Sequence, residues 1–370
     1  MTIGIIGLGA MGLGIAQVFA MAGHPVRATD ANPETRATAP ARLSDTLSAR
    51  VAKGSLTEDE KTAILQRLVV TERVEDIAPA DLVIEAVVER LAVKQSVFSL
   101  LEQYLAPGAV LATNTSSLSV GAIAQGLHRP DRVVGLHFFN PAPVMRLVEL
   151  IPHAGTATDA VTIARSLTES AGKTVIQCAD RPGFIVNRCA RPYYGEALAM
   201  LEEGRDPGEI DAAMMAAGYR LGPFALIDLI GADINLAATE GLAAAMGHHP
   251  RYHVFTALKR QVESGHIGRK SLKGFVFPDN PPPPPADAAT IALRIEATLA
   301  NEAAWLLSEG GTTAEGIDTA LKLGLNFPRG PFEALARHGR GTVLQTLARL
   351  EENAPPHLKS RYLPAPGLAP

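Results

Sequence analysis

Ile3-Gly4-Ile5-Ile6 leads into Gly7-Leu8-Gly9-Ala10-Met11-Gly12, and this ten-residue stretch decides the fold. The apolar run predicts a short buried strand. Leu13 to Ala20 then has helical character, Gly23 stops the helix, and Pro25 to Thr29 predicts a second strand ending at Asp30. Each glycine has a task. Gly7 permits the tight turn, Gly9 lets the backbone approach a pyrophosphate, and Gly12 lets helix and strand pack closely. The helix start offers free N–H groups and a positive dipole end to phosphates. Asp30 lies where an acid holds the adenosine ribose hydroxyls. A carboxylate there repels a 2′-phosphate, which favours NAD over NADP, although Arg27 and Arg36 stand close enough in sequence to serve a phosphate.

Further along, Asp81 to Val88 reads as a buried strand closed by Glu89, residues 91–105 as a helix, and Ala109 to Thr113 as a strand ending at Asn114-Thr115-Ser116-Ser117. Val133 to Phe139 and Leu147 to Ile151 are two more strands, separated by a proline-containing turn. This alternation predicts an α/β Rossmann domain, doubly wound with a mainly parallel sheet, over residues 1–183. After Pro182-Gly183 the strands cease. Residues 184–204 read as helical, with a kink at Pro192.

Two all-α repeat domains follow. Ile185 to Gly204 can be laid on Ile291 to Gly310, so that Arg188 meets Arg294, Glu196 meets Glu302 and Glu203 meets Glu309. Asp211 then meets Asp318, and Gly222-Pro223-Phe224 meets Gly330-Pro331-Phe332. The expected division is a first copy at 184–277, a Pro-rich linker at 278–287, a second copy at 288–351 and an irregular tail at 352–370. Pro281 to Pro285 favours a semi-rigid polyproline II spacer. Asn187 of the first copy is Leu293 in the second, so only the first is expected to face the chemistry.

Composition narrows the classes. The chain has 370 residues, 47% hydrophobic and 19% charged, with a net charge of −4, which excludes disorder and gives no reason to expect a nucleic-acid partner. Cys178 and Cys189 form neither a disulfide framework nor a metal-ligand spacing, so no metal is expected. No apolar run reaches the length of a membrane span, and Met1 to Ile6 lacks a signal peptide's basic region, so a cytoplasmic setting is expected.

The chemistry centres on His137, in His137-Phe138-Phe139-Asn140-Pro141, and on Glu149, inside Leu147-Val148-Glu149-Leu150-Ile151. A carboxylate between apolar pairs is costly to bury unless paired. A turn near Pro141 to Pro143 would fold the second strand onto the first and let Glu149 orient the imidazole. A positioned histidine beside a nicotinamide suits alcohol oxidation: the base removes the hydroxyl proton while hydride leaves the same carbon. A structural ion pair beneath the sheet is the plain alternative.

These residues resemble the L-3-hydroxyacyl-CoA dehydrogenases (3-hydroxybutyryl-CoA dehydrogenase family). The resemblance rests on the glycine turn, Glu85-Ala86-Val87-Val88-Glu89, Asn114-Thr115-Ser116-Ser117, His137 to Pro141, Pro182-Gly183-Phe184-Ile185-Val186-Asn187-Arg188 and Gly268-Arg269-Lys270, in that order. The two helical copies resemble members with tandem carboxyl-terminal domains. The resemblance implies reversible NAD-dependent oxidation of an L-3-hydroxyacyl-CoA to the 3-ketoacyl-CoA, as in fatty-acid β-oxidation. His137 would be the general base and Glu149 its partner, with Ser116 and Asn187 hydrogen-bonding the 3-hydroxyl or thioester carbonyl. Asn140 would hold the nicotinamide end; Glu89, Lys94 and Lys270 would contact NAD, with Asn114 beside it. Thr46 and Lys53 match positions that meet coenzyme A, or are solvated helix surface. The second copy would take a partner's place, giving a monomer with an internal pseudo-dimer, or else a homodimer. The competing readings are a β-hydroxyacid dehydrogenase using Lys173, a dehydrogenase of free acids of the gulonate or carnitine type, and a dinucleotide-binding protein without catalysis.

Overall fold

The computed structural model describes residues 1–368. The chain divides into two compact units, Met1–Phe184 and Ile185–Pro370.

The first unit opens with β1 (Ile3–Ile6), α1 (Ala10–Met21), β2 (Val26–Thr29), α2 (Pro33–Ala52), α3 (Glu58–Arg67) and β3 (Leu68–Val70). It continues through β4 (Leu82–Glu85), α4 (Leu91–Leu101), β5 (Val110–Thr113), α5 (Val120–Ala124), β6 (Val133–Phe138), β7 (Leu147–Pro152), α6 (Thr158–Ser170) and β8 (Thr174–Gln177). These strands form one sheet in the order β3-β2-β1-β4-β5-β6-β7-β8. Every pairing is parallel except that of β6 with β7. Strands β1, β4 and β5 are buried throughout, as expected when helices cover both faces. Strand order reverses between β1 and β4, the switch point at which such sheets bind ligands.

Two glycines explain the opening turn. Gly7 has φ +95°, and a Cβ there would lie 2.7 Å from the Ala86 carbonyl oxygen. A Cβ at Gly12 would collide with the Gly7 carbonyl oxygen. Only glycine lets α1 leave β1 this closely. Local chemistry also sets α2 and α3. The Asn32 side chain caps α2, with Pro33 following it, and Thr57 and Glu60 form a capping box on α3.

The second unit is helical: α7 (Val186–Cys189), α8 (Arg191–Glu202), α9 (Pro207–Ala216), α10 (Pro223–Ile230), α11 (Ala232–Ala245) and α12 (Thr256–Glu263), then α13 (Ala288–Ser308), α14 (Ala314–Leu325), α15 (Pro331–His338) and α16 (Arg340–Asn353). Pro192 does not kink a long helix. It sits in the first turn of α8, where its missing N–H costs nothing. Residues 281–285 have no regular hydrogen-bonded structure.

The two copies exchange charges. Arg188 reaches Glu302 at 2.7 Å and Glu309 at 2.6 Å, while its counterpart Arg294 reaches Glu196 at 3.1 Å and Glu203 at 2.7 Å. Residues 356–368 are not an irregular tail. A 3-10 helix spans Pro356–Tyr362, and Leu358, Arg361, Tyr362, Ala365 and Leu368 are buried. Arg361 and the Tyr362 hydroxyl bond to Glu196, as Arg251 and the Tyr252 hydroxyl bond to Glu302. Arg361-Tyr362 is thus the counterpart of Arg251-Tyr252, and the repeat runs further than Phe332.

Candidate active site

The antiparallel pairing of β6 with β7 places His137 directly opposite Glu149. His137 Nδ1 lies 2.6 Å from Glu149 Oε2, the histidine 7% exposed and the glutamate fully buried. A carboxylate accepts only, so Nδ1 carries the proton donated to Glu149, and in the neutral imidazole the lone pair is then on Nε2. Nε2 makes no hydrogen bond within the described residues. The rings of Phe139 and Phe184 stand 4.5 and 5.9 Å from the imidazole centroid and limit its movement.

At the switch point the residues fit a dinucleotide. No side chain caps the start of α1, so its first N–H groups stay available. Beside Gly9 the space is open where a Cβ would stand. Leu8, Ala10 and Met11 complete the turn, and Asp30 Oδ2 accepts from the Leu8 N–H at 2.7 Å, which ties the acid to the loop. Arg27 and Arg36 each have a backbone partner. Arg27 Nε donates to the Asp76 carbonyl, and Arg36 Nη1 donates to the carbonyl of Asp30 itself.

Glu89 organises the loop after β5. Its Oε1 accepts from Thr115 Oγ1 at 2.6 Å and from the N–H groups of Ser116 and Ser117 at 2.9 and 3.1 Å. Burial raises the carboxyl's proton affinity, but the Thr115 hydroxyl, the Lys94 ammonium and the Ser116 N–H outweigh it and hold the pKa low. Lys94, expected to touch the cofactor, is 1% exposed, with Nζ 2.7 Å from Glu85 Oε1 and 3.2 Å from Glu89 Oε2. Its reach towards any ligand therefore runs through Glu89. Asn114 Oδ1 accepts from the Phe138 N–H at 2.8 Å and links β5 to the strand that carries His137. Ser116 is exposed on that loop.

A cavity of about 730 Å³ lies between α1, α2 and the β6–β7 turn. Its walls include Asn140 and Val144 from the turn, and Arg42, Thr46, Arg50 and Lys53 from α2. Sequence reasoning found Thr46 and Lys53 but missed the two arginines. The helical spacing of 42, 46, 50 and 53 on one face was the available signal. In the second unit, Asn187 is half-buried in α7, and Lys270 Nζ pairs with Asp233 Oδ2 at 2.7 Å. Lys173 was also missed as a structural element. It is buried, and its Nζ donates to the carbonyls of Ala142 and Met145 at 2.5 and 2.8 Å, bracing the turn that carries Asn140. Burial lowers its pKa to about 8.

A histidine–carboxylate pair on the sheet that carries a dinucleotide turn defines a pyridine-nucleotide dehydrogenase. The 3-hydroxyacyl-CoA dehydrogenase NAD-binding domain matches residues 2–181, and the C-terminal domain of the same family matches residues 183–277 and 291–366. The 3-hydroxyadipyl-CoA dehydrogenase of Escherichia coli (strain K12) is 44% identical over 275 residues, which cover 74% of this chain and 58% of that relative. This chain therefore aligns to somewhat more than half of that protein. The probable 3-hydroxybutyryl-CoA dehydrogenase of Bacillus subtilis is 39% identical over 73% of this chain and 95% of its own length. The crystal structure of 3-hydroxybutyryl-CoA dehydrogenase from Escherichia coli K12 covers 100% of this chain and 97% of its own, with TM-score 0.92 and 33% identity.

The chain belongs to the 3-hydroxyacyl-CoA dehydrogenase family. It is an NAD-dependent oxidoreductase acting on the hydroxyl of a 3-hydroxyacyl-CoA. The free-acid and non-catalytic readings are not favoured. Lys173, engaged by two carbonyls, is also poorly suited to act as a catalytic lysine. No helix among the described residues is long and apolar enough to cross a membrane.

Proposed function

We propose that His137 is the general base of this reaction, and the observation that carries the assignment is the 2.6 Å contact between His137 and Glu149. Bound NAD supplies the hydride acceptor. His137 Nε2 takes the hydroxyl proton during oxidation and returns it during reduction. Glu149 fixes the tautomer and stabilises the imidazolium that forms. Ser116 and Asn187 hold the 3-hydroxyl and the thioester carbonyl. Asp30 binds the adenosine ribose, Asn140 holds the nicotinamide end, and Glu89, Asn114 and Lys270 contact NAD. Glu89 keeps the Ser116 loop in place, which supports that assignment.

The cationic face of α2 suits the phosphates of coenzyme A, with Arg42, Thr46, Arg50 and Lys53 on one cavity wall. Relatives named for butyryl and adipyl substrates support a short acyl group. Cross-copy pairing supports a monomer in which the second helical copy replaces a partner's, and the buried free thiols of Cys178 and Cys189 suit a cytoplasmic enzyme. The deciding assay follows NADH consumption with acetoacetyl-CoA and longer 3-ketoacyl-CoAs. Absence of turnover with every one of them would sink the reading.

A further inference from the structure

The helical unit buries one guanidinium with no acid beside it. Arg191, the first residue of α8, is 9% exposed. Its Nε donates to the Asn187 carbonyl at 3.1 Å and its Nη1 to Thr239 Oγ1 at 2.8 Å, while the guanidinium lies 5.0 Å from the Tyr194 ring centroid. Nη2 makes no hydrogen bond within the described residues. The two other buried arginines of this unit, Arg188 and Arg361, each meet carboxylates. Desolvation lowers the pKa of Arg191, and only Tyr194 opposes it. A guanidinium with no acid beside it is costly to bury, so its presence needs a reason.

The second copy shows that the scaffold does not require it. Extending the repeat places Ala297 where Arg191 stands, Ala300 for Tyr194, Val343 for Asn235 and Leu347 for Thr239. Ala297, Val343 and Leu347 pack as one apolar cluster with Tyr362. In the first copy Asn235 and Thr239 are buried around Arg191 instead. The polar set thus occurs only in the copy that carries Asn187, whose own counterpart is Leu293.

We propose that Arg191 binds a carboxylate at the far end of the acyl chain, making 3-hydroxyacyl-CoAs with a terminal carboxylate the preferred substrates. This rests on the preceding reading, in which Asn187 holds the substrate near its reacting carbon. Arg191 follows Asn187 by one helical turn, and its Nε reaches back to the Asn187 carbonyl at 3.1 Å, so the guanidinium lies beside the residue assigned to the reacting end of the substrate. A short acyl chain ending in carboxylate, such as a six-carbon one, suits a cation held so close to Asn187. The planar guanidinium, held by Nε, Nη1 and the Tyr194 ring, leaves Nη2 to donate.

The test compares kcat/KM for three six-carbon 3-hydroxyacyl-CoAs: one ending in carboxylate, one in methyl and one in the methyl ester of that carboxylate. The native enzyme should favour the carboxylate over both others by about 10- to 100-fold, the discrimination of a site built around a charged hydrogen bond. Arg191→Met should collapse the carboxylate-to-methyl ratio to about one or below, and Arg191→Lys should restore part of it. A merely structural arginine would lower kcat/KM for all three in parallel and leave the ratio alone, which overturns the proposal. Equal turnover of acid and ester by the native enzyme overturns it too, without any variant having to fold. No turnover of these or of the four-carbon substrate would overturn the activity reading, and this proposal with it. Turnover without carboxylate preference would overturn the present proposal only.

Discussion

Arg188 and Glu302 stand 114 residues apart in the chain and meet at 2.7 Å, with side chains 1% and 2% exposed. Removing Arg188 leaves Glu302 with Arg251 and the Tyr252 hydroxyl but takes away its closest cation. Arg188→Met is expected to cost about 3–5 kcal/mol of unfolding free energy. Adding Glu302→Met should not restore the loss, because Arg251 is then left without its carboxylate. Urea denaturation of both variants measures this, and a loss below about 1 kcal/mol for the single variant would contradict the burial argument.

His137→Ala should lower kcat by about two to four orders of magnitude and leave NADH affinity within a few-fold of the native value. Glu149→Gln keeps the volume but loses the anion that accepts from Nδ1, so kcat should fall while KM moves less. Steady-state kinetics with fluorescence titration of NADH separates these effects, and a near-native kcat in His137→Ala would remove the histidine from its role.

Asp30 combines a charge with a tie to the Leu8 N–H. Asp30→Asn keeps an acceptor for that tie and removes the charge. The ratio of kcat/KM for NAD over NADP should fall about tenfold or more, because the repulsion of a 2′-phosphate disappears. An unaltered ratio would show that another feature sets cofactor choice.

Lys173 gives a pH dependence with a definite sign. Its pKa is lowered by burial from 10.5 to about 8. Below pH 8 folded and unfolded chains are both protonated, and the folded state carries the full cost of a buried cation. Between about 8 and 10.5 the unfolded chain binds a proton that the folded one does not, so this group's contribution to stability rises with pH. Arg165 on the neighbouring α6 is engaged with Glu169 and Gln177, Glu149 on β7 with His137, and α1 has no charged residue. Urea melts near pH about 8 and about 10 should show the native protein gaining on Lys173→Met. A constant difference would contradict the assignment.

Much of this architecture is legible in the residues. The strand–glycine–helix opening and the His137–Glu149 strands announce themselves because both depend on short-range patterns: glycine spacing, and a lone acid in an apolar run. Strands β3 and β8 are three and four residues long and only partly buried, so their alternation is too brief to register. The proline at 192 misled because Pro-in-helix and Pro-at-start look alike until α8 is seen to begin at Arg191. Lys173 and Arg191 were invisible as supports, since their partners are backbone carbonyls or a hydroxyl 48 residues away, and neither leaves a mark in local sequence. Arg361-Tyr362 was lost among prolines for the same reason: its register shows only against Arg251-Tyr252.

The crossed ion pairs also decide what can be cut. Each copy supplies the arginine that neutralises its neighbour's buried acid, so either half produced alone would face water or oil with half a lock. Residues 185–368 should therefore melt in a single calorimetric transition. An engineer seeking a smaller enzyme would have to replace both crossings with apolar side chains before removing either module.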